Sequence, residues 1–248
     1  MDFITGFSLT VIAGLFIALG SLFTFFNRKS KTFYYFTIGL SLGIMIPLLF
    51  LNLWPEVFSI YRETETIRNS FVFIFTFALI GIIFLKASER FIPTEKLGTE
   101  KKYVKISFLA LFTMFSHDLV EGMAIMSATA TSLDFGVNLT FSIAINNIIM
   151  GMFISGVIYA STKNVKKTVL LIFLSSTAPI LGGLIVAFNP IYFNDSFILG
   201  SLLSLVSGMI VYLIFAELIP QFKKGELLIN TIAFIIGFFV MIGFVVWE

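Results

Sequence analysis

The chain contains no cysteine and only one histidine among its 248 residues. The lack of cysteine excludes disulfide bonds and thiolate metal sites, and it leaves the redox compartment open. Charged residues make up 12% of the sequence, whereas soluble domains carry about 25%. The net charge of +2 is too small to indicate a nucleic-acid partner. With 58% hydrophobic residues and a mean hydropathy of +1.02, the composition predicts an integral membrane protein.

Long apolar runs divide the chain at regular intervals. Runs of about 20 residues can cross the ~30 Å hydrocarbon core of a bilayer as helices. We predict eight such spans, at residues 3–26, 33–55, 70–88, 106–130, 138–160, 167–188, 197–220 and 227–247. The linkers are too short to hold a soluble domain. We therefore expect residues 1–248 to form one all-α transmembrane domain.

Basic residues are concentrated in alternate linkers. They occupy residues 27–32, 86–105, 161–166 and 223–224. The other linkers carry only Arg62 and Arg68, which are mixed with acidic residues. By the positive-inside rule the basic linkers face the cytoplasm. An even number of spans then predicts that both termini lie outside.

The fourth span is interrupted by Ser116-His117-Asp118-Leu119-Val120-Glu121-Gly122. On a helix, His117 lies four residues and Asp118 three residues before Glu121, so the three side chains can converge. An acidic residue near the centre of a membrane helix costs about 2.5–3.5 kcal/mol on insertion scales. Imidazole and carboxylate groups on one helical turn are ligands for a divalent metal ion. The alternative is a polar cluster that holds helices together, which seldom needs two acids.

Two short sequence echoes predict an inverted internal repeat. Residues 50–56 (FLNLWPE) end span 2 and share Phe, Leu and Pro with residues 215–221 (FAELIPQ), which end span 7. These two spans cross the membrane in opposite directions, as in many secondary transporters. Prolines that end helices would produce the same echo without a repeat.

The second echo joins span 4 to span 5. His117-Asp118-x-x-Glu121-Gly122 corresponds to Asn146-Asn147-x-x-Met150-Gly151. Both segments lie about 12–18 Å along their spans at 1.5 Å per residue, near the midplane where transporters bind substrates. The alternative for the two asparagines is hydrogen bonding between helices.

Three further polar residues outline a transport path. Asn52 and Glu56 are expected at the outer end of span 2, and Glu217 toward the inner end of span 7. Either glutamate could instead simply extend to the membrane interface.

In their order and spacing, these motifs resemble those of the ZIP (ZRT/IRT-like) metal-ion transporters, particularly the short bacterial zinc transporters. Leu53-Trp54-Pro55-Glu56 is similar to the family's Leu-x-Pro-Glu, and Arg90-Phe91-Ile92-Pro93 to its Arg-x-x-Pro. His117–Gly122 resembles His-Asn-x-Pro-Glu-Gly, and residues 144–151 resemble the second motif of that kind. Residues 208–220 resemble the family's seventh span, so the resemblance covers essentially the whole chain.

The resemblance implies a carrier with eight spans that brings divalent metals, chiefly zinc, into the cytoplasm. It also implies a central site between spans 4 and 5, often with two ions bridged by a glutamate from each span. Carried over to this chain, His117, Asp118 and Glu121 are ligands, and Asn146 and Asn147 offer carbonyl oxygens.

This chain departs from the family pattern at four positions. Met150 replaces the second metal-binding glutamate, and Ala178 replaces a further glutamate of span 6. Val120 and Ile149 replace the prolines of the two motifs. Met150 is either an apolar plug or a thioether ligand that favours a softer ion. The two remaining acids favour one bound dication over a standard binuclear site.

We therefore expect a secondary transporter, not an enzyme, with a midplane metal site on spans 4 and 5. Zinc is the first expectation, with iron, manganese or cobalt as alternatives, and the metal is the substrate because no prosthetic group is implied. The losses at Met150 and Ala178 motivate a second hypothesis, a transport-inactive ZIP-like metal sensor or membrane scaffold. An intramembrane metalloenzyme is disfavoured, since there is no His-Glu-x-x-His motif.

The expected location is the cytoplasmic membrane of a bacterium. The expected partners are the metal ion and the lipid bilayer, without nucleic acid. The sequence leaves open whether the chain forms a homodimer.

Overall fold

The computed structural model of the protein describes residues 3–26, 31–91, 101–189 and 196–247. These ranges are helical apart from short turns and contain no β-strand. The all-α prediction is therefore confirmed for the described residues. Arg28 and Lys29 of the first basic linker, Pro93 of the Arg-x-x-Pro motif and Asp195 lie outside these ranges.

The α-helices follow one another with short connections. In chain order they are α1 (Phe3–Phe26), α2 (Lys31–Pro47), α3 (Trp54–Arg62), α4 (Ile67–Ser88), α5 (Lys101–Thr131), α6 (Leu133–Thr162), α7 (Val165–Ser176), α8 (Ala178–Phe188), α9 (Ser196–Tyr212), α10 (Ile219–Phe222) and α11 (Leu227–Trp247). Two π-helical segments, Leu48–Leu53 and Leu213–Leu218, join α2 to α3 and α9 to α10. A 3₁₀ turn, Glu89–Phe91, follows α4.

Several of these helices, alone or joined end to end, form stretches that are long and apolar enough to cross a membrane. Among the described residues, 7 helical stretches meet this condition, and Leu227–Gly243 forms a shorter apolar helix. In α4, Phe71, Phe75, Leu79 and Ile83 each expose about half of their surface. Their spacing of four residues places them on one face of the helix. An exposed apolar stripe of this kind suits lipid contact, and the chain is an integral membrane protein.

The two π-helical segments occupy equivalent places in their spans. The backbone N–H of Trp54 donates to Leu49 O, and the backbone N–H of Ile219 donates to Ile214 O. Each acceptor lies five residues before its donor. Pro55 and Pro220 follow directly. Proline has no N–H, and its ring clashes with the carbonyl four residues before it. The wider π turn relieves this crowding, so both spans continue as helix through their prolines.

Two helices differ from the predicted spans for reasons that involve proline. The second span, predicted to end at Pro55, continues as α3 to Arg62. As a result Glu56 lies within a helix and not at its end. The sixth span is divided at Thr177, because Pro179 cannot donate to the Ser175 carbonyl.

Close glycine contacts position the helices around α5 and α6. A β-carbon on Gly122 of α5 would lie 2.0 Å from Pro179 O, and one on Gly182 of α8 would lie 1.9 Å from Leu119 O. These distances leave no room for a side chain, so α5 and α8 pack backbone to backbone. Helices α1 and α6 meet in the same reciprocal way through Gly20 and Gly151.

The remaining helices pack in pairs around this group. Helix α2 packs most extensively on α11, and α4 packs on α9. Helices α5 and α6 pack on each other and also contact α9 and α2, respectively. The segment with His117 therefore lies in the interior of the helix assembly.

Candidate metal site

The core of the candidate site is one turn of α5. His117 and Glu121 are both buried, and His117 Nε2 lies 2.9 Å from Glu121 Oε1. The two atoms lie at the distance of an ion pair, but their geometry is not that of a hydrogen bond. Accordingly, Nε2 has no hydrogen-bond partner among the described residues. Helix α5 brings the pair together because residues four apart share a face.

Asp118 completes a cluster of three donors on the same helix. One ligand atom from each of His117, Asp118 and Glu121 can be chosen so that all lie within 4.8 Å of one another. Asp118 is fully buried, and neither carboxylate oxygen has a hydrogen-bond partner among the described residues. A buried, unpartnered carboxylate is costly. A cation bound between these oxygens would offset that cost.

Helix α6 supplies two amides from the facing side. Asn146 Nδ2 donates to Glu121 Oε1 at 3.4 Å, and Asn147 Nδ2 donates to Ala13 O of α1 at 3.1 Å. Both asparagines are buried. Each amide nitrogen is thereby used, while each amide oxygen remains without a partner among the described residues. The structure thus brings α5 and α6 together at the candidate site.

A cavity of about 230 Å³ opens beside this cluster. Its polar lining comes from Asn52, Glu56, His117, Glu121 and Asn146. The apolar lining consists of Leu48, Leu53, Ala124, Leu139, Ile143 and Leu203. The sequence predicts Asn52 and Glu56 at the outer end of span 2. The structure places both on the same cavity as His117 and Glu121.

Two positions at which the family resemblance predicts carboxylates carry apolar side chains. Met150 lies one turn after Asn146 and is 1% exposed, within the main hydrophobic core. Ala178 is fully buried at the start of α8. The acidic groups of the site therefore come from α5 and, across the cavity, from Glu56.

Glu217 lies apart from the triad, in the second π-helical segment. Its Oε1 is 2.7 Å from Lys105 Nζ, and Lys105 also pairs with Glu89 Oε2 at 3.0 Å. Sequence analysis counted Lys105 only as part of a basic linker and missed this cluster. No local periodicity could have found it, since Lys105 and Glu217 are far apart in the chain.

The donor set can hold a divalent ion. It combines one imidazole nitrogen with carboxylate and amide oxygens, which suit zinc and other first-row dications. Asp118 and Glu121 supply two formal negative charges, and a ligating imidazole is neutral. The donors and the charge both fit one dication.

The sequence is similar to a known protein family and to several of its members. The sequence matches the family described as "ZIP Zinc transporter" over residues 93–244, more than half of the chain. It is 28% identical over 233 residues to the zinc transporter ZupT of Streptococcus mutans, covering 89% of this chain and 88% of that protein. It is 28% identical over 254 residues to the zinc transporter ZupT of Akkermansia muciniphila, covering 95% and 94%. The corresponding protein of Lysinibacillus sphaericus is 25% identical over 238 residues, covering 89% and 88%.

Proposed function

We propose that this chain, which belongs to the ZIP zinc transporter family, is a secondary membrane transporter of divalent metal ions. The observation that carries the proposal is the buried triad of His117, Asp118 and Glu121, with donor atoms within 4.8 Å of one another. Buried polar atoms without partners cost about 1–3 kcal/mol each. A bound dication offsets this cost and neutralises the two acids.

The proposed site is asymmetric between the two helices that form it. Helix α5 supplies His117, Asp118 and Glu121, and α6 supplies the amide oxygens of Asn146 and Asn147. Met150 adds a thioether wall where the family has a glutamate, and it contributes no charge. We therefore propose one bound ion at a time, with Met150 available as a weak ligand for softer ions.

The proposed architecture is a single transporter domain over residues 1–248, with eight spans, an inverted repeat and both termini outside. The matched π-helical segments before Pro55 and Pro220 support the repeat, because each begins and ends at an equivalent position. The concentration of basic residues in alternate linkers supports the orientation.

The proposed path crosses the site. A metal ion enters past Asn52 and Glu56, binds at the α5–α6 site and leaves past Glu217 into the cytoplasm. The shared cavity supports the first half of this path, since Glu56 and His117 line the same space. Movement of one half of the fold against the other would alternate access to the site.

Zinc is the first proposed substrate because it is named in the matching relatives. Iron, manganese and cobalt are alternatives that oxygen and imidazole donors also accept. The metal is cargo, and the proposal includes no prosthetic group and no enzymatic step. The proposed location is a bacterial cytoplasmic membrane.

A second candidate function is a metal sensor or membrane scaffold without transport. The observation that favours it is the replacement of two family carboxylates by the buried apolar residues Met150 and Ala178. Such a protein would bind metal at His117 without moving it.

One experiment separates the two candidates. Purified protein in liposomes is tested for uptake of zinc, manganese, iron and cobalt, and binding is measured on the same preparation. Transport predicts uptake that His117→Ala abolishes. Binding without uptake supports the sensor, and the absence of both overturns the metal site itself.

A further inference from the structure

Three helical segments meet at a charged cluster centred on Lys105. The Lys105 ammonium at the beginning of α5 lies 2.7 Å from Glu217 Oε1 and 3.0 Å from Glu89 Oε2. Glu217 belongs to the second π-helical segment, and Glu89 begins the 3₁₀ turn after α4. The Tyr212 hydroxyl donates a hydrogen bond to Glu89 Oε1. One amino group thus connects two carboxylates that are distant in sequence.

The burial of the cluster distinguishes it from a surface ion pair. The Glu217 side chain is 8% exposed, the Glu89 side chain 24% and the Lys105 side chain 33%. Exposed pairs contribute little to stability, whereas a buried carboxylate is costly without a positive partner. Lysine is a compact point charge on a flexible stem. Its ammonium can therefore leave, whereas Glu217 cannot lose its counter-charge without a replacement.

The formal charge of the two carboxylates matches that of a dication only when the Lys105 ammonium is absent. With Lys105 in place, two carboxylates and one ammonium carry a net charge of −1. Without the ammonium, the same carboxylates carry −2, which a dication balances. The ammonium thus occupies the position that a dication bound by both carboxylates would take.

The location of Lys105 links this cluster to the central site. Lys105 and His117 lie on the same helix, 12 residues apart, or about 18 Å at 1.5 Å per residue. Asn52, in the first π-helical segment, lines the cavity at the triad. Glu217, at the equivalent position of the second segment, is buried and paired with Lys105. The residue on the outer side of the proposed path therefore lines the cavity, whereas its counterpart on the inner side is paired with an internal cation.

We propose that Lys105 is a tethered cation that gates metal release: a departing dication must displace it from Glu89 and Glu217. This inference rests on the proposed transport function. The ammonium lowers the affinity of the two carboxylates for metal, so that an ion passes them without being retained. Lys105 is thus a gating residue, and Glu217 and Glu89 are the groups through which it acts.

The test begins with the stoichiometry of metal bound to the full-length protein. Wild type and Lys105→Met are purified in detergent and dialysed against Mn²⁺, because carboxylate oxygens suit this ion. Bound Mn²⁺ is counted per chain. We expect Lys105→Met to bind about one ion more than wild type, since its two carboxylates lack a counter-charge. Any ion at the central site is counted in both proteins and cancels.

Matched variants exclude a general effect of the substitution. Lys105→Arg keeps the positive charge and is expected to bind no extra ion. Lys105→Met combined with Glu217→Gln removes one carboxylate and is expected to lose the additional ion. A folded Lys105→Met protein with wild-type stoichiometry overturns the proposal. Lys105→Gln, which retains a hydrogen-bond donor, is the second variant. If both neutral variants lose the folded state, Lys105 is a structural clamp and the proposal is also overturned.

Transport kinetics provide a second readout that a structural clamp would not produce. We expect Lys105→Met to reduce both the maximal rate of Mn²⁺ uptake and the half-saturating concentration several-fold, because the ion is held at the exit. A lower rate at an unchanged half-saturating concentration contradicts gating. If the proposed transport function is wrong, neither wild type nor the Lys105 variants show uptake that depends on His117. The number of Mn²⁺ ions bound in dialysis still tests the role of Lys105 independently of uptake.

Discussion

The amide nitrogen of Asn146 lies 3.4 Å from Oε1 of Glu121, the same oxygen that approaches Nε2 of His117 at 2.9 Å. One carboxylate oxygen therefore joins α5 to α6 at the candidate metal site. An arriving ion would compete for this oxygen with both neighbours.

Replacing the only histidine should abolish metal transport. We expect His117→Ala to reduce zinc uptake into liposomes at least about tenfold, because the change removes the only imidazole ligand. Ser116→Ala is the matched control: it removes a hydroxyl that donates to Phe112 O within the same helix. Wild-type uptake by His117→Ala would exclude the triad as the transport site.

Neutralising Asp118 should separate metal binding from stability. Asp118→Asn keeps the shape of a fully buried side chain whose oxygens lack partners among the described residues. We expect metal affinity to fall about 10–100-fold, while the thermal midpoint of the metal-free protein stays equal or rises, since a buried charge is removed. Titration calorimetry and thermal unfolding measure the two effects. A large loss of stability in the metal-free protein would instead make Asp118 a structural residue.

Restoring a carboxylate on α6 should add charge to the site. Met150→Glu places an acid one turn from Asn146, in a core position that is 1% exposed. We expect increased zinc binding and a larger zinc-dependent rise in thermal midpoint than in wild type, because the ion stabilises the buried acid. Met150→Leu, which keeps an apolar side chain of similar volume, should leave both quantities unchanged. An identical zinc response in Met150→Glu and wild type would place Met150 outside the site.

Glu56 should govern the capture of metal and not its passage. It lines the cavity with His117, so its charge attracts cations toward the triad. We expect Glu56→Gln to raise the half-saturating zinc concentration several-fold at an unchanged maximal rate. Glu63→Gln, on the exposed turn after α3, is the control. An equal effect of both substitutions would indicate general surface charge and not capture at the cavity.

The close packing of α5 on α8 should not tolerate a side chain at Gly122. A β-carbon there would lie 2.0 Å from Pro179 O, whereas one at Gly243 would meet nothing within 4 Å. We expect Gly122→Ala to destabilise the protein by about 1–3 kcal/mol and Gly243→Ala to have little effect. Thermal unfolding in detergent compares the two variants. Equal midpoints would show that α5 and α8 can separate without cost.

Much of the fold followed from local pattern. Apolar runs predicted the helices because a membrane helix must satisfy its own backbone hydrogen bonds over the bilayer thickness. The prediction differed at Pro55, where a π-helical segment lets α2 continue into α3, and at Thr177, where the sixth span divides. In both spans the sequence predicts that proline interrupts the regular helix. The packing of neighbouring helices determines whether the helix continues past the proline or ends there.

The spacing of His117, Asp118 and Glu121 is enough to predict that they share one helical face, because the helix repeats every 3.6 residues. Only in the folded chain does Asn146 reach Glu121, Glu56 line the same cavity and Lys105 lie between Glu89 and Glu217. These contacts join residues on different helices. The distances between them depend on how closely the helices approach one another. Glycine contacts such as that of Gly122 with Pro179 set this approach, and no local sequence period encodes it.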